Sequence, residues 1–313
     1  MLTIVGLMVG ISELTGEKEI IFPEIAALAI GYMISPRRLW AVSPKRMLLY
    51  LSGCAVAGLL IVRCLSLPVW IELSIAFVIA QVLYTFGGTS LAPFVSAICL
   101  PVLLQTETIV YPIAAFVLSL SVIIGRAICI KTGLRKQEPF IPVSAPDSPQ
   151  QYLFILLRII AAVIAIFIAL RLNARLAVAP PLLVAFTEFS RVRKWEKNPD
   201  NEIRSVKHPI KTVAILTTTA AIGAYIRFGI TICLHLPLTL SALVAVTIML
   251  FLIHKTRIFM PPAGALTLLA VLIPEENVLV FPLYILAGSA YFVAVAVMID
   301  KIQRAAIQNS TTN

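Results

Sequence analysis

Long runs of apolar residues, separated by short polar stretches, fill almost the whole of this chain. Within the runs the apolar positions are continuous, whereas a membrane β-strand would alternate apolar and polar positions over about ten residues. Six runs fall in each half, near 2–12, 20–34, 46–64, 69–86, 91–104 and 109–128, and near 152–171, 177–190, 210–228, 236–253, 259–273 and 278–298. The pattern predicts an all-α, polytopic membrane protein with about twelve membrane segments.

The two halves repeat the same order of proline-marked positions. Three landmarks recur about 170 residues later: Leu67-Pro68, Ala92-Pro93 and Tyr111-Pro112 return as Leu236-Pro237, Pro261-Pro262 and Phe281-Pro282. Because each copy holds an even number of segments, both copies enter the membrane from the same side and are parallel repeats. We therefore predict membrane repeat 1 over 1–130, a cytoplasmic linker over 131–151, membrane repeat 2 over 152–304 and a cytoplasmic tail over 305–313.

Length separates two kinds of segment, because a straight crossing needs about 20 residues. The second and fifth segments of each copy have only about 15 residues, and each opens on proline, at Pro23, Pro93, Pro180-Pro181 and Pro261-Pro262. Proline suits the first turn of a helix, since its missing N–H would be unpaired there. We predict half-length or re-entrant helices whose N-termini face each other near the bilayer midplane. The alternative is ordinary tilted helices with proline at the water interface.

Composition and charge place the chain in a membrane. Hydrophobic residues make up 60% of it and charged residues 13%, which excludes an ordinary water-soluble domain. The excess of 25 Lys+Arg over 15 Asp+Glu is explained by basic loops retained in the cytoplasm, so we expect no nucleic-acid partner. Basic stretches at 36–46 and 191–211 predict cytoplasmic termini. Without an evident transit peptide, the expected location is the cell inner (plasma) membrane.

Small and hydroxyl-bearing residues beside the short segments form the predicted substrate site. Helix N-termini attract anions, and small residues let a ligand or a neighbouring helix approach the backbone closely. Helix packing alone explains the small residues equally well. The predicted substrate-binding residues are Pro23, Glu24, Gly87, Gly88, Thr89, Ser90, Pro180, Pro181, Pro261, Pro262, Ala263, Gly264 and Thr267.

Two charged residues inside apolar segments stand out. Glu24 directly follows Pro23, and a carboxylate at membrane depth needs a partner, a proton or a cavity. We interpret it as a cap of the helix dipole, with proton transfer as the alternative. Arg158 is interpreted as an interfacial anchor rather than a substrate ligand. Carboxylates, histidines and cysteines do not cluster along the chain, so we expect no metal, no cofactor and no catalytic dyad.

The stretch from Leu240 to Pro274 resembles the hallmark of the HPP family of integral membrane proteins, in which His-Pro-Pro-Ala-Gly-Ala precedes an apolar run. Here the motif reads Met260-Pro261-Pro262-Ala263-Gly264-Ala265. The stretch from Pro180 through the basic loop to Lys211 resembles the family's preceding helix and connection, and the first half matches weakly through the repeat. Family members linked with nitrite transport imply an anion substrate. Met260 replaces the name-giving histidine, so this chain has either lost that residue's role or handles a different solute.

Together these features predict a secondary transporter or facilitator of a small solute, with an inorganic anion such as nitrite as the leading candidate, and not an enzyme. Its expected partners are the solute and the lipid bilayer, and its oligomeric state stays open. The alternatives are a membrane-embedded enzyme or lipid-handling protein with a buried cavity, and a non-transporting scaffold. An acid–base pair or metal cluster facing a cavity would favour the enzyme, and a tightly packed interior would favour the scaffold.

Overall fold

The computed structural model describes residues 1–35, 39–136, 140–191 and 208–311. Within these ranges every regular element is helical: α1 (Leu2–Thr15), α2 (Glu24–Leu28), α3 (Pro44–Leu65), α4 (Val69–Phe86), α5 (Pro93–Leu104), α6 (Val110–Lys131), α7 (Pro149–Arg171), α8 (Pro180–Phe189), α9 (Pro209–Arg227), α10 (Leu238–Thr256), α11 (Pro261–Leu272), α12 (Glu275–Val278) and α13 (Phe281–Thr311). Two π-helical stretches, Ala29–Ile34 and Phe228–Cys233, extend α2 and α9. Much of the basic sequence used to predict orientation, 36–38 and 192–207, lies outside the described residues.

Seven helices in the described part of the chain are long and apolar enough to cross a membrane. They are α3, α4, α6, α7, α9 with its π-helical extension, α10 and α13. Large apolar side chains on their outer faces, such as Leu49, Phe251 and Leu283, are exposed. Such faces suit contact with lipid tails, because exposing so many large apolar side chains to water would be energetically unfavourable. The prediction of an all-helical, multi-pass membrane protein is confirmed.

Four short helices, α2, α5, α8 and α11, lie inside the body formed by the long ones. The longest, α5 and α11, have 12 residues each and rise about 18 Å, well short of the hydrocarbon core of about 30 Å. Every residue of α5 except the last is buried, and the same holds for α11. The short helices contact one another in a closed ring, α2 with α5 and α11, and α8 with α5 and α11. We call this arrangement the central ring.

Proline marks the start of each helix of the central ring. Pro93, Pro180 and Pro261 occupy the first helical position of α5, α8 and α11, and Pro23 immediately precedes α2. All four are buried, so these helices begin inside the protein rather than at a water interface. A fixed φ and a missing N–H make proline suited to that position, because the first-turn amides have no intrahelical partner.

A carboxylate joins the first helix of the chain to the second half. Glu13 of α1 accepts hydrogen bonds at Oε1 from the Leu238 amide (2.8 Å) and at Oε2 from the amide (3.1 Å) and hydroxyl (2.8 Å) of Thr239. These amides belong to the first turn of α10, where N–H groups lack helical partners and the dipole favours negative charge. These hydrogen bonds, together with the packing of α1 on α10, attach the first helix to the second half of the chain.

A second acidic group lies in the connection between α1 and α2. Glu19 belongs to the short 3-10 turn Lys18–Ile20. Burial, together with the nearby Glu17 and Glu107 carboxylates, raises the pKa of Glu19 above its ordinary value.

The described residues of the predicted linker and tail contact or continue the helical body. The Val143 amide donates to the Gly88 carbonyl (3.2 Å), and the Arg46 guanidinium lies 5.2 Å from the centre of the Phe140 ring. These contacts hold the linker against the connection between α4 and α5. At the other end α13 continues to Thr311, so the predicted tail begins as an extension of the last helix.

Candidate functional site

Glu24 lies where α2 and α5 meet in the central ring. It is the first residue of α2 and only 1% exposed. Its Oε1 accepts a hydrogen bond from the hydroxyl of Ser96, the fourth residue of α5, while its buried Oε2 has no hydrogen-bond partner among the described residues. Tyr111 of α6 closes the site nearby, with its ring 5.8 Å from that of Phe22 and its hydroxyl donating to the Ala97 carbonyl (3.2 Å). The Glu24 carboxylate is therefore buried in the protein, and only one of its two oxygens accepts a hydrogen bond.

The predicted binding residues of α11 face neighbouring helices. A Cβ placed on Gly264 would lie 2.5 Å from Ile30 Cδ1 and 3.2 Å from Ala26 Cβ of α2. Thr267 donates its hydroxyl to the carbonyls of Thr219 in α9 (3.0 Å) and Ala263 (3.1 Å). Gly264 therefore packs α11 against α2, and Thr267 packs it against α9. Helix packing is the alternative that the sequence offered for these small residues.

The Gly87–Ser90 connection is occupied by internal hydrogen bonds. The Gly87 carbonyl accepts from the Tyr50 hydroxyl (2.8 Å), and Arg46 Nη1 donates to the carbonyls of Gly87 (3.3 Å) and Gly88 (3.2 Å). Gly88 has φ +62°, a left-handed conformation that glycine adopts without a Cβ penalty. These bonds and this turn orient the chain as it leaves α4 for α5.

The two hydroxyls of the same connection bind one backbone residue. Thr89 donates its hydroxyl to the Ala41 carbonyl (2.9 Å), and Ser90 Oγ accepts from the Ala41 amide (2.8 Å). Short hydroxyl side chains often replace missing backbone partners in this way. That Thr89 and Ser90 contact substrate stays a prediction, and their hydrogen bonds in this structure are internal.

The double prolines change what the ends of α8 and α11 offer to a ligand. In α8, Pro180 and Pro181 have no N–H, and the next two amides, of Leu182 and Leu183, point to the Ala179 carbonyl (2.8 and 3.4 Å). A helix normally leaves four amides unpaired at this end, so α8 has no amide left over for an anion. Its dipole remains. That Pro180-Pro181 and Pro261-Pro262 contact substrate stays a prediction. At α8, such contact would have to come from something other than unpaired amides.

Arg158 is the residue whose place the sequence interpretation misjudged. It is the tenth residue of α7 and 0% exposed, so the interpretation as an interfacial anchor is wrong. Its guanidinium lies 5.6 Å from the centre of the Tyr84 ring in α4, and none of its three nitrogens has a hydrogen-bond partner among the described residues. Arg191, just after α8, also lies over that ring, at 5.8 Å, and its Nε donates to the Tyr84 hydroxyl (2.9 Å).

One turn before Tyr84, a second polar side chain on α4 is incompletely bonded. Gln81 is fully buried, and its Nε2 donates to the Thr187 hydroxyl of α8 (2.9 Å), while its Oε1 has no partner among the described residues. Tyr84 also reaches the start of α5, since its ring lies 6.2 Å from that of Phe94. We call Gln81, Tyr84, Arg158, Thr187 and Arg191 the arginine cluster.

A polar cavity opens at the opposite end of these helices. It has a volume of about 350 Å³ and lies where α4 begins and where α5 and α7 end. Gln105, Asn173, Arg175 and Asn277 supply its polar lining. In the part of the chain that the structure describes, no group of three or more histidine, cysteine or acidic side chains is arranged to hold a metal ion.

The class defined by this fold is that of a polytopic, helical membrane protein with short helices buried at its centre. Comparisons with protein-family models, with curated proteins and with solved structures found no match for the chain. The resemblance to the HPP family stays a prediction.

Proposed function

We propose that the protein is a secondary transporter or facilitator of a small solute, with an inorganic anion such as nitrite as the leading substrate. The observation that carries the proposal is the central ring of α2, α5, α8 and α11, in which each helix begins inside the protein. Helices interrupted at membrane depth are tolerated where protein surrounds them, and secondary transporters build their substrate sites from such helices.

We further propose two parallel six-segment repeats that interlock through this ring. In support, α3 packs on α5 as α9 packs on α11, and each contact contains a glycine at the closest approach. A Cβ on Gly58 would collide with the Ile98 carbonyl oxygen, and one on Gly223 with the Thr267 carbonyl oxygen. Corresponding residues are about 165 to 170 positions apart, as the sequence repeat requires.

The polar cavity supports a route for a hydrophilic solute from one side. Its lining includes Leu103 of α5, a helix of the central ring, and Leu176 just before α8. We propose that the protein lies in the cell inner membrane with both termini in the cytoplasm. With that topology, the cavity opens to the outer side of the membrane. Arg175 in its wall would favour the entry of anions over cations.

Flux into proteoliposomes tests the proposal directly. The full chain is reconstituted, and uptake of nitrite and of nitrate is followed with and without a pH gradient, with empty vesicles measuring the passive leak. We expect protein-dependent uptake of at least one of these anions. Uptake equal to that of empty vesicles for every small anion tried would contradict transport.

The same assay separates two roles for Glu24. If the buried carboxylate carries a proton during transport, Glu24→Gln should flatten the pH dependence of uptake, because the amide cannot titrate. Glu276→Gln, at an exposed position, is the matched control and should keep the wild-type profile. An unchanged profile in Glu24→Gln would restrict Glu24 to its structural contact with Ser96.

A further inference from the structure

Arg158 carries a charge that the described protein leaves uncompensated. Arginine stays protonated in proteins, and its guanidinium has five N–H donors. Here the whole side chain is excluded from solvent, and Nε, Nη1 and Nη2 all lack hydrogen-bond partners among the described residues. Burial of an unpaired charge is so unfavourable that native proteins almost always supply a counter-charge. Within the described residues no carboxylate is hydrogen-bonded to Arg158, so its charge has no counter-charge among them.

A second guanidinium, that of Arg191, lies near Arg158. Arg191 shares the Tyr84 ring with Arg158 and is tied to it by the bond to the Tyr84 hydroxyl. The carboxylate of Glu188, in α8, accepts from Trp40 Nε1 (2.7 Å) and lies close enough to Arg191 to offset part of the charge of Arg191. The buried guanidinium of Arg158 and the half-buried guanidinium of Arg191, around one aromatic ring, create a region of positive potential that favours an anion.

Helix α5 strengthens this potential. It has 12 buried or nearly buried residues, and Phe94 in its first turn contacts Tyr84. The positive end of its dipole therefore lies beside the aromatic ring that both arginines share. The unpartnered, fully buried guanidinium of Arg158 is the independent feature that indicates a ligand here, since a helix end alone would not.

We propose that Arg158 binds a small monovalent oxyanion at the junction of α4, α5, α7 and α8. The planar guanidinium can donate two parallel N–H groups to two oxygens of one anion, a geometry that nitrite, nitrate and small carboxylates all satisfy. Burial favours a monovalent, weakly hydrated ion over phosphate or sulfate, because removing water from a multiply charged anion is far more costly. This assignment deepens the proposed function by naming the side chain that binds the anion, and it rests on that function only for the claim that the bound anion is transported.

Anion-dependent thermal stability of the purified full chain tests binding without any flux measurement. Unfolding midpoints are recorded in sodium nitrite, sodium nitrate and sodium gluconate at one ionic strength. An anion that binds the folded state alone raises the midpoint in a saturable manner. We expect nitrite or nitrate to do so in the wild type, and bulky gluconate not to. No saturable shift with nitrite or nitrate would overturn the proposal.

Two substitutions at Arg158 and one elsewhere on α7 test whether Arg158 is the side chain that binds the anion. Arg158→Met should abolish the anion-dependent shift and leave the anion-free midpoint unchanged or higher, since it removes a buried charge and keeps most of the volume. Arg158→Lys keeps the charge without the planar fork and should weaken anion affinity at least tenfold. Arg171→Met, at an exposed position of the same helix, should respond as the wild type does. The same anion response in Arg158→Met and wild type would refute the site.

The binding and flux results together distinguish the two proposals. Arg158-dependent anion binding without flux in proteoliposomes would sustain the site and contradict transport. Anion flux that survives in Arg158→Met would contradict the site and leave the transport proposal standing.

Discussion

Gly264 provides a quantitative test of the central ring. It is the fourth residue of α11 and the point at which α11 meets α2. We consider Gly264→Leu, with Gly264→Ala as the graded intermediate. The contact lies two residues from Glu24 along α2, at Ala26, so any displacement there also moves the buried carboxylate.

The size of the effect follows from the distances. A Cβ on Gly264 would be 3.2 Å from Ala26 Cβ and 3.3 Å from the Ala26 carbonyl carbon, against an optimum of about 3.5–4.0 Å. For alanine, Ile30 Cδ1 must rotate away and α2 must shift by a few tenths of an ångström. That cost is of the same order as the gain of about 1 kcal/mol from replacing a helical glycine, so the net change is near zero.

Leucine cannot be accommodated in the same way. It adds three further carbon atoms to a contact that is already tight, and overpacking of this kind costs about 1–3 kcal/mol. Taking the upper value and subtracting the gain in helix propensity leaves about 2 kcal/mol of destabilisation. At about 2–4 °C per kcal/mol, Tm should fall by about 4–8 °C. Transport should fall severalfold while membrane insertion persists, because the seven spanning helices are untouched.

The assay compares Gly264→Leu with Gly53→Leu in α3, where a Cβ would meet nothing within 4 Å. Both variants add the same side chain to a helical glycine, so differences between them report the α2–α11 contact. Thermal unfolding and nitrite uptake are measured for each, with membrane fractionation as the check on insertion. Equal Tm and equal uptake in the two variants would refute the close contact and its functional role.

Two further predictions concern topology and pH. Cys64 and Cys233 end α3 and the extension of α9, and both are exposed. When single-cysteine variants are expressed in intact cells, an impermeant maleimide should label Cys64 and Cys233 but not Cys129. Labelling of Cys129 alone would contradict the proposed orientation. The raised pKa of Glu19 means that the folded state binds this proton more tightly than the unfolded state. The stabilisation from protonated Glu19 is therefore fully present below the ordinary pKa of 4.5 and is lost as pH rises through the raised pKa. Glu19→Gln should lessen the fall in Tm just above that ordinary value, and identical pH profiles would contradict the shift.

Helix starts at the short segments are predictable because their cause is local. Proline at the first helical position carries its own reason, a fixed φ and the absence of an N–H that would otherwise be unpaired. Pro93, Pro180 and Pro261 each begin a helix, as that reasoning expects. The choice of partners is not local. That α2 packs on α11 and α8 on α5 depends on contacts between residues far apart in the chain, which hydropathy does not encode.

The Gly87–Ser90 connection shows why residue type alone overstates binding. Glycines and hydroxyls beside a helix start are typical of ligand loops, yet the same groups also complete the backbone of a tight connection. In this structure Thr89 and Ser90 bind Ala41, and Arg46 and Tyr50 bind the Gly87 carbonyl. Only the positions of those partners, brought from another part of the chain, distinguish the two uses.

Arg158 was misjudged through a boundary error with a physical origin. The apolar run suggests a start near 152 and a place for Arg158 about one turn inside the helix, whereas α7 begins at Pro149 and Arg158 lies about two and a half turns from that start. At about 1.5 Å per residue, the nine residues from Pro149 to Arg158 correspond to a rise of about 14 Å along α7. A guanidinium at that depth either lifts its head toward the surface or turns into the protein. Because α7 is apolar on all sides, its sequence does not indicate which face is inward, and only packing against Tyr84 of α4 decides that Arg158 turns into the protein.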